Sequence, residues 1–300
     1  MKKILVIGST VVDVIIELMD RLPKTGEDVH VRRQQMSLGG CAVNVSDSTR
    51  HFQVPYILSS PVGTGIYGYF VREELKKRDI SSPIPSPNQD NGCCYCFVES
   101  TGERTFSSYH GAEYLFRREW FDLIKTEEID SVYICGLEIE EVTGDVIVDF
   151  LEKNPQLKIF FAPGPRLTVI DSLLLDRIYR LSPILHLNES EALEVTRAQQ
   201  ITQAARSLYD RTHNTVIITL GDKGCYYYDG DKDDIVPPVK TRQVDTIGAG
   251  DSHIGSVIAC LKRGQSLSAA IASANKVAAA VVGNSSAILP DEEFAKLDLI

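Results

Sequence analysis

Long apolar runs are missing from this 300-residue chain: no stretch approaches the roughly 18 consecutive apolar residues that a membrane helix needs. The run Ile4-Leu5-Val6-Ile7 ends at Gly8, with Asp13 soon after, so the N-terminus reads as a first strand and not as a signal peptide. Positive charge is also in deficit. Against 41 Asp and Glu stand 31 Lys and Arg, a formal net charge of -10, and a field of that sign repels nucleic-acid backbones and anionic lipid. Neither is expected as a partner. An anionic ligand has to be held locally instead, by backbone N–H groups, a helix N-terminus and a divalent cation. No Gly-x-x-x-x-Gly-Lys-Ser/Thr string occurs, which removes the P-loop class of nucleotide enzymes. Internal repeats, low-complexity tracts and linkers are absent too, so residues 1–300 read as one unit. Seven cysteines, an odd number without a secretion signal, imply reduced thiols and a cytoplasmic location. Cys93, Cys94 and Cys96 have no second Cys/His pair at ligand spacing nearby, and read as strand residues.

What is present is a rhythm of short apolar runs with helical patterns between them: Lys3 to Gly8, Tyr56 to Ser60, Val132 to Gly136, Lys158 to Ala162, Ile184 to Leu187 and Val216 to Leu220. Such alternation predicts an α/β protein, a mostly parallel central sheet covered by helices on both faces in three layers. Two regions break the rhythm. Extended segments within about 11–38 and 92–110, the second turning at Ser100-Thr101-Gly102-Glu103, predict a small antiparallel sheet able to cover a site as a lid. In the C-terminal third, Ile254, Val257, Ile258 and Leu261 fall at i, i+3, i+4 and i+7, and Ala270, Ala274, Val277, Ala278 and Val281 mark a second helix.

The most informative string is Val244-Asp245-Thr246-Ile247-Gly248-Ala249-Gly250-Asp251-Ser252, where glycines lead into the first of those helices. Bare backbone can approach a ligand closely, and successive N–H groups at a helix N-terminus seat an anion. An acid beside that seat can take a proton from an attacking hydroxyl, the pairing that phosphoryl transfer uses. The plainer alternative for Asp251 is a first-turn acid stabilised by the helix dipole.

Gly248-Ala249-Gly250-Asp251 resembles the signature of the ribokinase (PfkB) family of carbohydrate kinases, and other blocks of that family follow its order along nearly the whole chain. Gly39-Gly40-Cys41-Ala42-Val43-Asn44 resembles the N-terminal Gly-Gly signature, Asn188-Glu189-Ser190-Glu191 the Asn-x-x-Glu block, and Thr219-Leu220-Gly221-Asp222-Lys223-Gly224 the nucleotide-side loop. The resemblance implies a ribokinase-like fold and ATP-dependent phosphorylation of a primary hydroxyl of a small sugar, or of a nucleoside's ribose. It makes Asp251 the base and the amides of Gly248, Ala249 and Gly250 the anion hole. It assigns acceptor hydroxyls to Asp13, Gly39, Gly40, Asn44 and Glu138. Nucleotide contacts fall to Thr219, Gly221, Lys223, Gly224 and Asn275, and Mg²⁺, through water, to Asn188 and Glu191; for Asn188 helix capping is the alternative. A monovalent cation such as K⁺ would lie on Asp245 and Ile247, completed by Val282 and Ser285. A homodimer through the lid is also implied, since pairing would cover two exposed strand edges.

The chain departs from the family pattern where Gly65 stands in place of the usual aspartate and His253 in place of phenylalanine; both positions bear on pocket shape. Cys41 stands where ribokinases and phosphosugar kinases tend to carry lysine, which disfavours a phosphorylated acceptor. Two rival classes were weighed. Gly63-Thr64-Gly65-Ile66-Tyr67-Gly68 satisfies a dinucleotide fingerprint, but the acidic strand end due about 20 residues on falls in proline-rich sequence, which disfavours a dehydrogenase. An inactive sugar-binding regulator is disfavoured by the intact Asp251 and its glycines.

Overall fold

Alternation along one strand shows how the layers form. In β1 (Lys3–Ile7), Ile4 and Val6 enter one core while Leu5 and Ile7 enter another, and all four are fully buried. A parallel strand covered on both faces requires this. Burying four such side chains contributes roughly 6–12 kcal/mol gross, enough to outweigh an ordering cost of about 1–2 kcal/mol per residue.

The computed structural model describes residues 1–284 and 286–300. From β1 the chain leaves the main sheet for β2 (Val11–Leu18) and β3 (Val31–Gly39) and returns as β4 (Tyr56–Ser59). It leaves again for β5 (Cys93–Val98) and β6 (Arg104–Tyr109), then stays with β7 (Ile129–Cys135), β8 (Lys158–Ala162), β9 (Ile184–Asn188), β10 (Val216–Thr219), β11 (Cys225–Tyr228) and β12 (Asp233–Val236). The main sheet has the order β12-β11-β10-β9-β8-β7-β1-β4, with only β11 running against the others, antiparallel to both β10 and β12. Helices Cys41–His51, Ile66–Lys77, Ala249–Lys262 and Leu267–Val282 bury their apolar stripes on the face of Ile4 and Val6. Helices Gly144–Lys153, Ser172–Arg180 and Ile201–Thr212 do so on the face of Leu5 and Ile7. This is the α/β sandwich that the alternation predicts. Among the described residues no helix is long and apolar enough to cross a membrane.

The antiparallel pair β11–β12 was not anticipated. Its turn is Asp229-Gly230-Asp231-Lys232, with Gly230 at φ 102° and the Asp229 carboxylate accepting the amides of Asp231 and Lys232, a string of turn-forming residues between two short strands.

The small sheet runs β3-β2-β5-β6. Each of its two hairpins is antiparallel as expected; where they meet, β2 and β5 run parallel, because separate segments supply them. Their tips are joined by the Ser100 amide donating to the Asp20 carbonyl at 2.8 Å.

Candidate active site

Two glycines let the small sheet meet the main sheet. A Cβ on Gly39 would lie 2.1 Å from Asp13 Oδ2, and one on Gly40, at φ 106°, would lie 2.4 Å from the Ser9 carbonyl oxygen. The turn from β3 into helix Cys41–His51 is therefore packed directly on Asp13 and on the β1–β2 connection. Asp13 is half-buried, and its carboxyl is pushed up to about 6, first by burial and second by the negative charge of Asp245.

One turn into that helix sits Asn44, 4% exposed. Its Nδ2 donates to Asp251 Oδ2 at 2.9 Å across 207 positions of sequence. Gly255 makes this approach possible: a Cβ there would come within 2.9 Å of Ser48 Cβ and 3.0 Å of the Val45 carbonyl, so only glycine lets helices Cys41–His51 and Ala249–Lys262 close on one another. Asn44 Oδ1 is buried with no hydrogen-bond partner. Asp251 lies in the first turn of its helix. Enclosure raises its carboxyl above the ordinary range, and the Asn44 amide opposes that rise by bonding the anion.

The N-terminus of that helix is bare of side-chain caps. Gly248 is left-handed at φ 77°, and a Cβ there would strike Ala287 Cβ at 2.5 Å. Among the described residues nothing lies within 4 Å of where a Cβ of Gly250 would be. The Ala249 amide is partly diverted, donating to the Thr246 carbonyl at 3.2 Å, and the Ser252 amide bonds the Gly248 carbonyl at 2.9 Å. The open space at Gly250, with dipole and first-turn amides behind it, has the character of an anion seat.

The loop before the seat differs from the cation site that the resemblance implies. Asp245 Oδ1 accepts the Ile247 amide at 3.0 Å and Oδ2 accepts Arg104 Nη1 at 2.7 Å. The Val282 carbonyl accepts the amides of both Val244 and Asp245, at 2.9 and 3.1 Å. Oxygens expected to face a metal are already taken by N–H donors, so Asp245 and Val282 do not fit a monovalent cation. Ser285 lies outside the described residues.

On the nucleotide side, β9 and β10 pair in register with Asn188 opposite Thr219. Asn188 and Glu191 form a reciprocal capping box, Asn188 Oδ1 accepting the Glu191 amide at 2.9 Å and Glu191 Oε2 accepting the Asn188 amide at 3.0 Å. The capping alternative is thus realised, at the carboxyl edge of the sheet where α/β proteins bind ligands. Gly221, at φ 62°, opens to free space; Gly224, at φ 100°, is pressed against the Val236 carbonyl. Lys223 is exposed beside Glu189 at 3.3 Å.

Asn275 departs from its expected place. It is 8% exposed, its Nδ2 donating to the Val236 and Pro237 carbonyls and its Oδ1 bonded to His253 Nε2 at 3.1 Å. It clamps β12 to the helix layer and has no amide left for an adenine. His253 in turn meets His186 at 2.9 Å, and burial lowers its imidazole to about 4. Phenylalanine's usual place is filled by a neutral hydrogen-bonded ring.

Glu138, in the short helix Gly136–Glu140, is 1% exposed; its Oε1 accepts the Ser9 amide at 2.7 Å and lies 3.5 Å from the Cys41 thiol. It reaches the acceptor side through Ser9 rather than by its own open oxygen, and burial raises its carboxyl. At Gly65, the carboxylate that the local sequence lacks comes from Asp90, whose Oδ2 lies 2.1 Å from where a Gly65 Cβ would be and whose Oδ1 accepts the Gly68 amide at 2.8 Å. A carboxylate on that helix start leaves the fingerprint Gly63–Gly68 no seat for a pyrophosphate. Neighbouring Asn91, 1% exposed, ties the Gly63 amide to the Thr10 carbonyl. Asp90, Asn91 and Arg104 were missed in the sequence; only Asp90-Asn91-Gly92, a turn-forming string, hinted at the first two.

A sandwich with open glycine at a helix start beside a buried carboxylate has the groups that group-transfer chemistry can use. Residues 1–293 match the family model described as pfkB family carbohydrate kinase, and the chain belongs to that family, phosphotransferases acting on an alcohol group. It is 32% identical over 288 residues to the uncharacterized sugar kinase YegV of Escherichia coli (strain K12), covering 94% of this chain and 89% of that one. It is 29% identical over 267 residues to a ribokinase of Mus musculus, covering 85% and 80%. Among solved structures, ribokinase from Thermotoga maritima has a TM-score of 0.86 at 21% identity, covering 99% of each chain, which is a likeness of fold.

Proposed function

We propose that the chain transfers the γ-phosphoryl group of ATP to a primary hydroxyl of a small free sugar, with Asp251 as base and the helix start Gly248–Gly250 as the anion seat. The observation that carries this reading is the Asn44–Asp251 hydrogen bond of 2.9 Å, which joins the Gly-Gly acceptor block to the seat. Asp251 takes the hydroxyl proton, the freed oxygen attacks the γ-phosphorus, and the bond to ADP breaks. Asp13 and the unpaired Oδ1 of Asn44 accept further hydroxyls; Gly39 and Gly40 let backbone reach the ring. The nucleotide lies along Thr219, Gly221 and Lys223, where Gly221 leaves space for it. Asn188 and Glu191, oxygen donors at the same sheet edge, suit Mg²⁺ through water; that ion neutralises polyphosphate charge when bound. The whole chain works as one unit, with the small sheet as lid and as the contact of a homodimer.

The test is ADP release from Mg-ATP across pentoses, hexoses, their phosphates and ribonucleosides, for wild type and Asp251→Asn. Turnover on a free sugar that falls by about two orders of magnitude or more in the variant supports the reading. Turnover confined to nucleosides would move the acceptor to a ribose carrying a base, and full activity in Asp251→Asn would remove the base.

A further inference from the structure

Asp13 and Asp245 lie close enough for the charge of one to act on the other, and Asp245 opens the loop that leads to Gly248. Burial first, and the Asp245 charge second, raise the Asp13 carboxyl to about 6. A loop that presents amides to a phosphoryl group needs the Asp245 charge answered, because that residue stands three positions before Gly248. The answer comes from the small sheet. Arg104, the first residue of β6, reaches across 141 positions to Asp245 at 2.7 Å, with the two side chains 29% and 10% exposed. A pair this sheltered is not a solvated surface contact. Around it, the Asp245 and Val282 oxygens that a bare cation would need are occupied by N–H donors.

We propose that Arg104 is a positioning residue that takes the place of a monovalent cation, its guanidinium neutralising Asp245 and fixing the Asp245–Gly250 loop from the lid. Turnover then needs no K⁺. The guanidinium charge is permanent at any working pH, but it reaches the loop only when the small sheet is in place, so covering the acceptor and completing the seat are one event. The inference rests on the kinase reading for its turnover arm only.

The test compares the full chain in KCl and in choline chloride at equal ionic strength, reading melting temperature and ADP release with the acceptor found above. Wild type is expected to melt and turn over alike in both salts. Arg104→Gln should lose on the order of tenfold to a hundredfold in kcat, and Arg104→Lys should keep most of it. Adding Asp245→Asn to Arg104→Gln should recover part of the loss, since it removes the unanswered charge while keeping an acceptor for the Ile247 amide; a guanidinium that merely packed would give no recovery. Saturable activation or stabilisation of wild type by K⁺ overturns the proposal, and so does full kcat in Arg104→Gln. If wild type turns over no acceptor in either salt, the kinase reading has failed and melting decides alone. A K⁺-insensitive wild type beside an Arg104→Gln variant that K⁺ stabilises upholds the replacement; any other pattern overturns it.

Discussion

Burial pushes Asp251 toward its neutral form, and the Asn44 amide pulls it back toward the anion that a base must be. Asn44→Ala removes a bond to a charged group, worth about 1.5–3 kcal/mol, so the Asp251 carboxyl should rise further. A base acts deprotonated, and activity is lost as pH falls through its pKa; the acid limb of kcat/KM against pH should therefore move to higher pH in Asn44→Ala. The same raised carboxyl bears on stability with the opposite sense. A group whose folded pKa exceeds its unfolded one favours folding at low pH, and that contribution is lost as pH rises. An acid limb that stays in place in the variant would show that Asn44 serves the acceptor alone. At this scale Asp251 was a candidate from its own local string, whereas Asp13, Gly39, Gly40 and Asn44 were candidates through the family resemblance. Glu138 and Asn275 were legible as polar letters only: that one is spent on the Ser9 amide and the other on β12 is decided by burial. Arg104 was silent because its partner is 141 residues away.

Two glycines two positions apart flank the proposed seat, and the helix tells them apart. Gly248 holds a left-handed conformation and touches Ala287; Gly250 is helical and open. Gly248→Ala should cost about 1–2 kcal/mol for the conformation alone, more with the Ala287 contact, and lower both melting temperature and turnover. Gly250→Ala should leave melting unchanged or slightly raised, since alanine favours a helix, and yet reduce turnover by filling the space of the anion. Melting curves and ADP release on both variants check this; an active Gly250→Ala enzyme would place the phosphoryl group elsewhere. Among the elements, the main-sheet strands β1, β4 and β7 to β10 were legible from apolar runs, and helix Ala249–Lys262 from its spacing. The pair β11–β12 was not, since only β11 carries an apolar run and three of the four β12 residues are exposed. Capping by Asn188 was foreseen as an alternative to metal binding, though not the part of Glu191 in it, and the sequence could not decide because the same oxygens serve both.

For the whole molecule, the family and the sandwich followed from patterns that span the chain, whereas the lid's working face depends on which residues pair across four strands drawn from two separate segments. Register places Asp13, Cys94 and Ser108 in one row and Cys96 and Phe106 in the next on the same face, with Arg104 beyond them. That face carries an acceptor carboxylate and a guanidinium, and also Phe106, 51% exposed. A large apolar ring left in water beside Cys96 and Ile15 on a two-edged sheet is what a second copy would cover, its own Phe106 face meeting this one. Wild type should therefore sediment as a dimer at micromolar concentration, with Phe106→Asp shifting it to monomer while melting stays near wild type, because an exposed side chain contributes little to the monomer's fold. A monomeric wild type would sink the lid-mediated dimer, and a Phe106→Asp variant that stays dimeric would move the contact off this face.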